Sequence, residues 1–381
     1  MSDLDRLRLA RTEGVGPITY RRLLRRYPDP AAALAALPAL ARAGGRAQPP
    51  AVPTVASAER ELERIAQLKG RLLFVDQPDY PPLLALLDDA PPVLAVLGHV
   101  AALQARAVAL VGSRNASANG QHIAERLGQQ LAEAGLAVVS GLARGIDAAA
   151  HGGALRAGLT VACVAGGVDV PYPPEHAKLQ ARIAAAGAVV SELPPGIAPQ
   201  ARHFPRRNRI IAGLALGVIV VEAATRSGSL ITARLAQDAN REIFAVPGSP
   251  LDPRCHGSND LIRNGAHLVE TAADVLANLP DHPAREGLAR VPLFARERPA
   301  AGLPEATVPW PAPEAPAADG AAVRATLLQL LGPSPTSVDD LARRCQLSAA
   351  TVNSALMDLE LAGRVEALPG HRFALIGEAG P

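Results

Sequence analysis

An arginine-rich segment is the part of this sequence best suited to bind an anion. The eight residues from Arg202 to Arg209 contain four arginines, one histidine and one phenylalanine, with no acidic residue. Arginine forms forked hydrogen bonds with phosphate, and an aromatic ring offers a face on which a nucleobase can stack. We interpret the segment as a phosphate-reading groove, and a solvated charged surface is the alternative. Because the chain has only ten aromatic residues, backbone contacts should dominate, with Phe204 and Tyr172 as candidate base platforms.

Turns rich in glycine and serine follow several predicted strands. Val111-Gly-Ser-Arg114 precedes a helix expected to begin near Ser117 to Gly120, so its backbone N–H groups could meet an anion. A second turn, from Ser140 to Asp147, carries Arg144, and Asp147 could cap the next helix. The turn at Arg226 to Ala233 contains Ser227 and Ser229. These turns predict phosphate sites.

Two common nucleotide-binding motifs are absent. Neither of the two lysines, Lys69 and Lys178, follows a glycine in a Gly-Lys-Ser/Thr sequence, which excludes a Walker-A loop. The dinucleotide pattern Gly-x-Gly-x-x-Gly is missing, and the second strand ends in Ser140-Gly141 rather than in an acidic residue that would hold a ribose. NAD is therefore disfavoured.

Catalysis is an open alternative. Glu192 and Glu222 follow predicted strands and could act as acid or base groups of a nucleotide or phosphoribosyl hydrolase or transferase, or could instead orient loops and arginines. His151 is expected to pack rather than to act as a base. The cysteines Cys163, Cys255 and Cys345 lack metal-site spacing. We expect no catalytic residue, cofactor or metal.

Short β-branched runs alternate with helical segments in the middle of the chain, which is typical of a parallel sheet covered by helices. The prediction is an α/β fold with an open, Rossmann-like, mostly parallel sheet whose ligand site lies at the carboxyl ends of the strands. The predicted strands are Ala107–Val111, Ala137–Ser140, Thr160–Ala165, Ala188–Ser191, Val218–Glu222 and Ile243–Val246.

Two smaller modules flank this sheet. A Gly-Val-Gly-Pro turn precedes a basic helix with Arg21, Arg22 and Arg25, which resembles a helix-hairpin-helix, and a helical cap is the alternative. The C-terminal pattern of three helices and two strands predicts a winged helix. Asp358 and Glu360 on its third helix make duplex reading doubtful, so it could be an adaptor that docks a protein. The predicted domains are residues 1–72 (helical), 73–280 (Rossmann-like), 281–320 (a proline-rich linker) and 321–381 (winged helix).

The net charge of +2 conceals an uneven distribution. Residues 1–48 carry +5 and residues 101–280 carry +3, whereas residues 321–381 carry −1. Of the 38 basic residues, 36 are arginine. The N-terminus lacks an apolar signal region and no apolar run is long enough to span a bilayer, so we expect a cytoplasmic protein without membrane contact.

Seven ordered motifs resemble the DNA-processing protein A family (DprA, also called Smf). They are VGSR at 111, SGLARGIDAAAH at 140, AGGVDVPYP at 165, SELPPG at 191, FPRRNRIIAGL at 204, VVEAATRSGSLITA at 220, and AVPGS followed by GSNDLIRNGA. The resemblance implies a non-enzymatic, homodimeric protein that binds single-stranded DNA, protects incoming strands during natural transformation and loads the RecA recombinase.

Together, the motifs and the arginine-rich segment define the predicted DNA-binding residues. The primary set is Gly112, Ser113, Arg114, Ser140, Gly141, Arg144, Phe204, Arg206, Arg207, Asn208 and Arg209. The secondary set is Arg21, Arg22, Arg25, Tyr172, Ser227 and Ser229.

Overall fold

A computed structural model describes residues 2–43, 48–280, 320–332, 334–368 and 370–376. The described chain forms two compact units. One contains residues 54–280 together with Arg6–Ala10, and the other contains the described residues within 2–5, 11–53 and 320–376. No helix within the described ranges is both long and apolar enough to cross a membrane.

The larger unit is built around nine strands. They are β1 (Arg71–Phe74), β2 (Val93–Gly98), β3 (Ala107–Val111), β4 (Ala137–Ser140), β5 (Thr160–Cys163), β6 (Ala188–Ser191), β7 (Gly217–Val220), β8 (Glu242–Ala245) and β9 (His267–Leu268). Their order in the sheet is β1-β2-β6-β5-β4-β3-β7-β8-β9. All neighbours pair in parallel except β1 with β2 and β2 with β6.

The helices of the larger unit lie before, between and after these strands. They are α4 (Val55–Gln67), α5 (Pro82–Ala85), α6 (Ala118–Glu133), α7 (Ile146–Ala154), α8 (Ala177–Ala186), α9 (His203–Leu214), α10 (Gly228–Asp238), α11 (His256–Arg263) and α12 (Ala272–Asn278).

Each face of the sheet has its own apolar core because side chains alternate along a strand. In β3, Ala109 and Val111 join the cluster that includes Ile210 of α9 and Ala233 of α10. Val108 and Leu110 project to the opposite face, where they join side chains of α6, α7 and α12. Burial on both faces explains why these strands are continuously apolar.

The order of the strands reverses at β3. The chain proceeds from β3 through β4 and β5 to β6 on one side, then returns to place β7 on the other side of β3. In open α/β sheets a crevice forms where the order reverses, beyond the carboxyl ends of the strands. The turns after β3 and β7 flank that crevice.

The Rossmann-like, mostly parallel prediction is confirmed, and all six predicted strands are present with ends shifted by up to two residues. The sequence reading missed β1, β2 and β9. Strand β9 has only two residues, too few for a detectable period. Strands β1 and β2 extend the sheet through antiparallel pairing, which the alternation of strands and helices does not indicate.

The smaller unit contains N-terminal helices. They are α2 (Pro17–Arg26) and α3 (Pro30–Ala43), whereas most of α1 (Asp3–Ala10) belongs to the larger unit. Gly14 has φ +79°, and Gly16 is the extended N-cap residue before Pro17. Proline suits the first helical turn because its missing N–H would have no partner there. The Gly-Val-Gly-Pro sequence therefore begins α2 as expected.

The same unit contains the winged helix, as predicted. Its elements are α13 (Gly320–Leu330), β10 (Thr336–Ser337), α14 (Val338–Cys345), α15 (Ala349–Leu361), β11 (Val365–Leu368) and β12 (Arg372–Leu375). The three strands pair antiparallel in the order β10-β12-β11. Leu327, Leu341, Leu356 and Phe373 are fully buried in its core.

Two glycines allow α6 and α7 to pack with their backbones in contact. A Cβ atom on Gly128 would lie 2.5 Å from the carbonyl oxygen of Ala150, and one on Gly153 would lie 1.9 Å from that of Glu125. A Cβ atom on the adjacent Gly152 would instead enter open space, with no other atom within 4 Å. Of these two neighbouring glycines in α7, Gly152 therefore has room for a side chain and Gly153 does not.

We expect Gly153→Ala to lower the free energy of unfolding by about 1–3 kcal/mol through overpacking. Gly152→Ala should raise it by about 0.5–1 kcal/mol because alanine loses less conformational entropy in a helix. Urea unfolding of the two variants beside the wild type measures both values. Equal effects would show that the helices do not approach so closely.

Candidate nucleic-acid interface

A cleft of about 520 Å³ lies where the strand order reverses. It is lined by the turn after β3, the start of α9 and the start of α10. The lining residues are Val111, Gly112, Ser113, Arg114, Asn115, Ala143, Asp147, Phe204, Pro205, Arg207, Asn208, Ile211, Ala224, Arg226, Ser227, Gly228, Ser229, Ile231 and Thr232.

The turn after β3 is held by the neighbouring strand end. Ser113 donates its backbone N–H to the carbonyl of Glu222 at 2.7 Å. A Cβ atom on Gly112 would lie 2.6 Å from the side chain of Ile146 and 3.0 Å from the same carbonyl. Only glycine fits there, so Gly112 allows the turn to lie between β7 and α7 and present Arg114 to the cleft.

The start of α6 is closed by an internal carboxylate. Glu222 accepts a hydrogen bond from the backbone N–H of Ser117 at 2.9 Å and a second one from its hydroxyl, and Ser117 caps α6 at Gly120. The glycine-serine turn was expected to leave these N–H groups open to an external anion. That expectation is wrong for α6, because the Glu222 side chain already occupies the anion position at its N-terminus.

Arg207 is a buried cation at the floor of the cleft. It is only 6 % exposed, and its Nε has no hydrogen-bond partner among the described residues. A Cβ atom on Gly141 would lie 1.5 Å from Nη1 of Arg207 and 2.6 Å from Oδ2 of Asp147. Gly141 therefore leaves the space in which this guanidinium and the Asp147 carboxylate meet.

Burial opposes both charges of this pair. It lowers the pKa of Arg207 and raises that of Asp147, and in each case the partner's charge acts in the opposite direction. Asp147 also accepts the N–H of Ala143 at 3.2 Å. Its predicted role as a helix cap is not what the structure shows: Asp147 lies within the first turn of α7, whose N-cap is Gly145.

Arg114, Phe204 and Tyr172 form a stack at the edge of the cleft. The Arg114 guanidinium carbon lies 4.9 Å from the centroid of the Phe204 ring. Tyr172 meets the same ring edge to face, with centroids 5.7 Å apart. Arg114 is exposed and Tyr172 is 48 % exposed. This places a cation and two aromatic rings within reach of one bound nucleotide.

The start of α10 supplies the opposite wall. Ser227 is its N-cap and accepts the backbone N–H of Ser229, while Asn208 of α9 donates to the carbonyl of Gly228 at 3.4 Å. Ile231 and Thr232, one helical turn later, were missed from the sequence. The i, i+4 spacing from Ser227 to Ile231 would have placed them on the face of the cleft.

Several predicted residues lie outside the cleft lining. Ser140 is buried and donates to the carbonyl of Leu110 at 2.6 Å, behind the site. Arg144 is exposed and bonds Glu175 at 2.5 Å. Arg206 is exposed, with Glu192 at 3.3 Å.

Arg209 is directed into the protein. It is buried and bonds Glu192 and the carbonyl of Asp89. Arg21, Arg22 and Arg25 belong to the other compact unit. Their binding of DNA stays a prediction.

No metal-binding cluster of His, Cys, Asp or Glu occurs in the part of the chain that the structure describes. The two candidate carboxylates are engaged in structure: Glu192 orients Arg206 and Arg209, and Glu222 caps α6.

His151 is a packing residue, as expected from the sequence. Thr160 donates its hydroxyl to the carbonyl of Val138 at 2.7 Å, so Nδ1 of His151, 2.7 Å from that hydroxyl, must be the donor. Nε2 is then unprotonated, and it is buried without a hydrogen-bond partner among the described residues. Burial lowers the pKa of His151 to about 3.

The doubly wound sheet and its arginine-lined cleft define a Rossmann-like protein with a cationic site at the topological switch point. Models of three protein families match successive parts of the chain: "DNA recombination-mediator protein A" over residues 71–280, "DprA winged helix domain" over 311–371 and "DprA-like N-terminal HHH domain" over 1–63. The chain belongs to the DprA/Smf family.

Relatives and solved structures agree with this assignment. Protein Smf of Synechocystis is 36 % identical over 326 residues, covering 82 % of each chain, and Protein Smf of Escherichia coli is 40 % identical over 316 residues, covering 82 % of this chain and 80 % of its own. The X-ray structure of DprA from Streptococcus pneumoniae matches with a TM-score of 0.62 and 34 % identity, covering 74 % of this chain and 99 % of that one. A Helicobacter pylori DprA structure, described by its single-stranded DNA binding mode, matches with a TM-score of 0.50 and 28 % identity over 55 % and 95 % of the two chains.

Acid should destabilise the protein in part through His151. The folded protein keeps this imidazole neutral, so its contribution is complete above the unfolded pKa of 6.5 and declines as the pH falls from 6.5 toward about 3. Its contribution to the slope rises toward about 1.4 kcal/mol per pH unit as the pH falls about one unit below 6.5. His151→Leu should remove that slope when free energies of unfolding are measured between pH 7 and pH 5. An unchanged slope would show that the imidazole takes up a proton in the folded state.

Proposed function

We propose that this protein binds single-stranded DNA in the cleft at the switch point and that it acts as a recombination mediator without catalysing a bond change. The observation that carries the proposal is the buried Arg207 guanidinium at the floor of a cleft whose rim holds the Arg114–Phe204 stack. The relative from Helicobacter pylori, whose structure is described by its single-stranded DNA binding mode, supports it.

The chemistry of the cleft favours a single strand over a duplex. Phe204 is half-buried, and Tyr172 lies against its ring. A base can use such rings only when its own face is free, and in a duplex both faces are covered by neighbouring bases. Arg114, Arg207 and Arg226, which line the same cleft as Phe204, would meet the phosphates of an unpaired strand.

Binding without catalysis is supported by the engagement of the acidic groups. Glu222 is 5 % exposed and accepts two hydrogen bonds from Ser117. Glu192 holds Arg209. Asp147 faces the cleft, but the Arg207 charge lies beside it. A carboxylate that already neutralises an arginine or caps a helix is poorly placed to transfer protons. The hydrolase or transferase alternative would require one of these groups to be released.

The finer functions proposed are protection of incoming strands in natural transformation and loading of the RecA recombinase by a homodimer in the cytoplasm. Support comes from the description of the matching family as a recombination mediator and from relatives named DNA processing protein DprA in Streptococcus pneumoniae and Bacillus subtilis.

Removing the cleft arginines should weaken binding to oligo-dT whatever the strand sequence. We expect Arg207→Ala and Arg114→Ala each to raise the dissociation constant about tenfold or more, because a hydrogen bond to a charged group contributes about 1.5–3 kcal/mol. The slope of log K against log salt should become shallower by about 0.7 for each phosphate that is no longer neutralised. Fluorescence anisotropy over a salt series gives both quantities.

Arg156→Ala is the matched control. Arg156 is exposed, pairs with Glu125 and precedes the amino end of β5, whereas the cleft lies beyond the carboxyl ends of the strands. The Arg156→Ala substitution removes one positive charge, as Arg114→Ala does, and should leave the slope of log K against log salt unchanged. Since Arg114 is exposed, its replacement does not threaten folding. If Arg114→Ala binds as tightly as Arg156→Ala does, the cleft is not the binding site.

Mediator activity should depend on the same cleft. We expect the wild-type protein to restore the DNA-dependent ATPase of a RecA-class recombinase on a strand already coated with single-strand binding protein, and Arg114→Ala to lose most of that stimulation. If Arg114→Ala stimulates the ATPase as much as Arg156→Ala does, recombinase loading does not depend on DNA binding in the cleft. No stimulation by the wild type would overturn the mediator role.

A further inference from the structure

Helix α15 of the winged helix is buried on two sides. Val352, Leu356 and Leu359 face the core of the winged helix. Met357 and Leu361, one turn apart, are 4 % and 0 % exposed but lie outside that core. A helix that is apolar on both sides must be covered on both sides.

The second cover is the N-terminal part of the same unit. Helices α3 and α2 both pack against α15. Their own buried faces are apolar: α3 contributes Leu37 and Leu40, and α2 contributes Tyr20 and Leu23. In a helix-turn-helix the second helix, which here is α15, is the one that enters the major groove of DNA. The N-terminal helices therefore cover part of the recognition helix.

A single arginine of α2 meets two elements of the winged helix. Nη1 of Arg22 lies 3.9 Å from Oε2 of Glu360 on α15. The guanidinium carbon of Arg22 also lies 4.9 Å from the ring centroid of Phe373 in β12. The side chains of Arg22 and Glu360 are 15 % and 11 % exposed. One of the two acidic residues that make α15 a poor duplex reader, Glu360, therefore provides a partner for a basic helix.

The polar atoms at this contact are incompletely bonded. Among the described residues, Nη1 of Arg22 and Oε2 of Glu360 are buried without a hydrogen-bond partner. Burial raises the pKa of Glu360, against the opposing effects of Thr19 and Arg22, and it lowers the pKa of Arg22. A buried ion pair at this distance offsets only part of its desolvation cost. Apolar packing of α2 and α3 on α15 favours the closed arrangement. The charges of Arg22 and Glu360 would both gain hydration if this contact opened.

We propose that α2 and α3 act as an intramolecular ligand of the winged helix. They occupy a face of α15 and, through the contact of Arg22 with Glu360 and Phe373, keep a basic side chain of the N-terminal domain away from phosphate. The winged helix is thus a docking module for a basic helix of its own chain. Access of any other macromolecule to that face requires the contact to open.

Hydrogen exchange of the full-length protein tests the contact. Arg22→Met keeps the apolar stem and removes the charge, and the winged-helix sequence is untouched. We expect backbone amides of residues 357–361 to exchange about tenfold faster, since removing one partner of a buried pair strongly destabilises the contact. Amides of α14 should not change. Glu360→Gln should accelerate exchange in α2 in the same way.

Arg42→Met is the control, because Arg42 of α3 is exposed and bonds to the carbonyl of Pro38 in its own helix. If Arg22→Met unfolds α2 and α3, α15 still loses its cover and its exchange must still accelerate. Exchange in residues 357–361 equal to that of Arg42→Met would overturn the proposal. Protection that falls on dilution over about a fiftyfold range would also overturn it, because the contact would then belong to a second copy.

Binding to a short DNA duplex tests whether Arg22 is withheld from phosphate. Glu360→Gln and Glu366→Gln remove the same charge from the same domain, but Glu366 is exposed on β11. We expect Glu360→Gln to bind about threefold or more tighter than Glu366→Gln, because only the former releases Arg22. Equal affinities would overturn this part of the proposal.

Discussion

The candidate site depends on one buried guanidinium, that of Arg207, which must stay charged although little water reaches it. Arg207 is shielded from most of the surrounding water, and burial therefore favours its neutral form. Three features make its charged state possible: Gly141 leaves the space, Asp147 brings a negative charge close, and the start of α9 fixes the direction of the side chain. A charge that is already desolvated incurs little further desolvation when phosphate covers it. A buried arginine of this kind is therefore suited to the phosphate contact proposed for the cleft.

The fold brings these residues together from distant parts of the sequence. The turns after β3 and β7 are more than 100 residues apart, and they meet because β7 returns to the side of β3 opposite β4. Ser113 and Glu222 then join the two turns through a backbone hydrogen bond, and the Glu222 carboxylate adds the bonds to Ser117. The same carboxylate closes the start of α6, whereas the starts of α9 and α10 line the cleft.

The sequence was sufficient to predict the parallel sheet, the winged helix and several of the turns that line the cleft, since apolar runs and glycine-serine turns are local signals. It could not assign the individual arginines. Four of them lie between Arg202 and Arg209, and the folded helix sends Arg207 to the cleft and Arg209 to Glu192 and Asp89. The partner of Arg209 is 17 residues away in sequence and that of Arg144 is 31 residues away. Such pairs become visible only when the chain is folded, as does the closing of α6 by Glu222.

Under the proposed function, the size of the cleft limits how one copy would hold a long strand. A volume of about 520 Å³ with three lining arginines, Arg114, Arg207 and Arg226, offers contacts to only a short stretch of backbone. A strand that extends beyond one cleft carries further phosphates and bases, which are available to another copy of the protein. Retention of the whole strand would then arise from many modest contacts, each of which keeps the others at high local concentration. The residence time of a bound strand would therefore increase with its length, although the affinity of each single cleft stays the same.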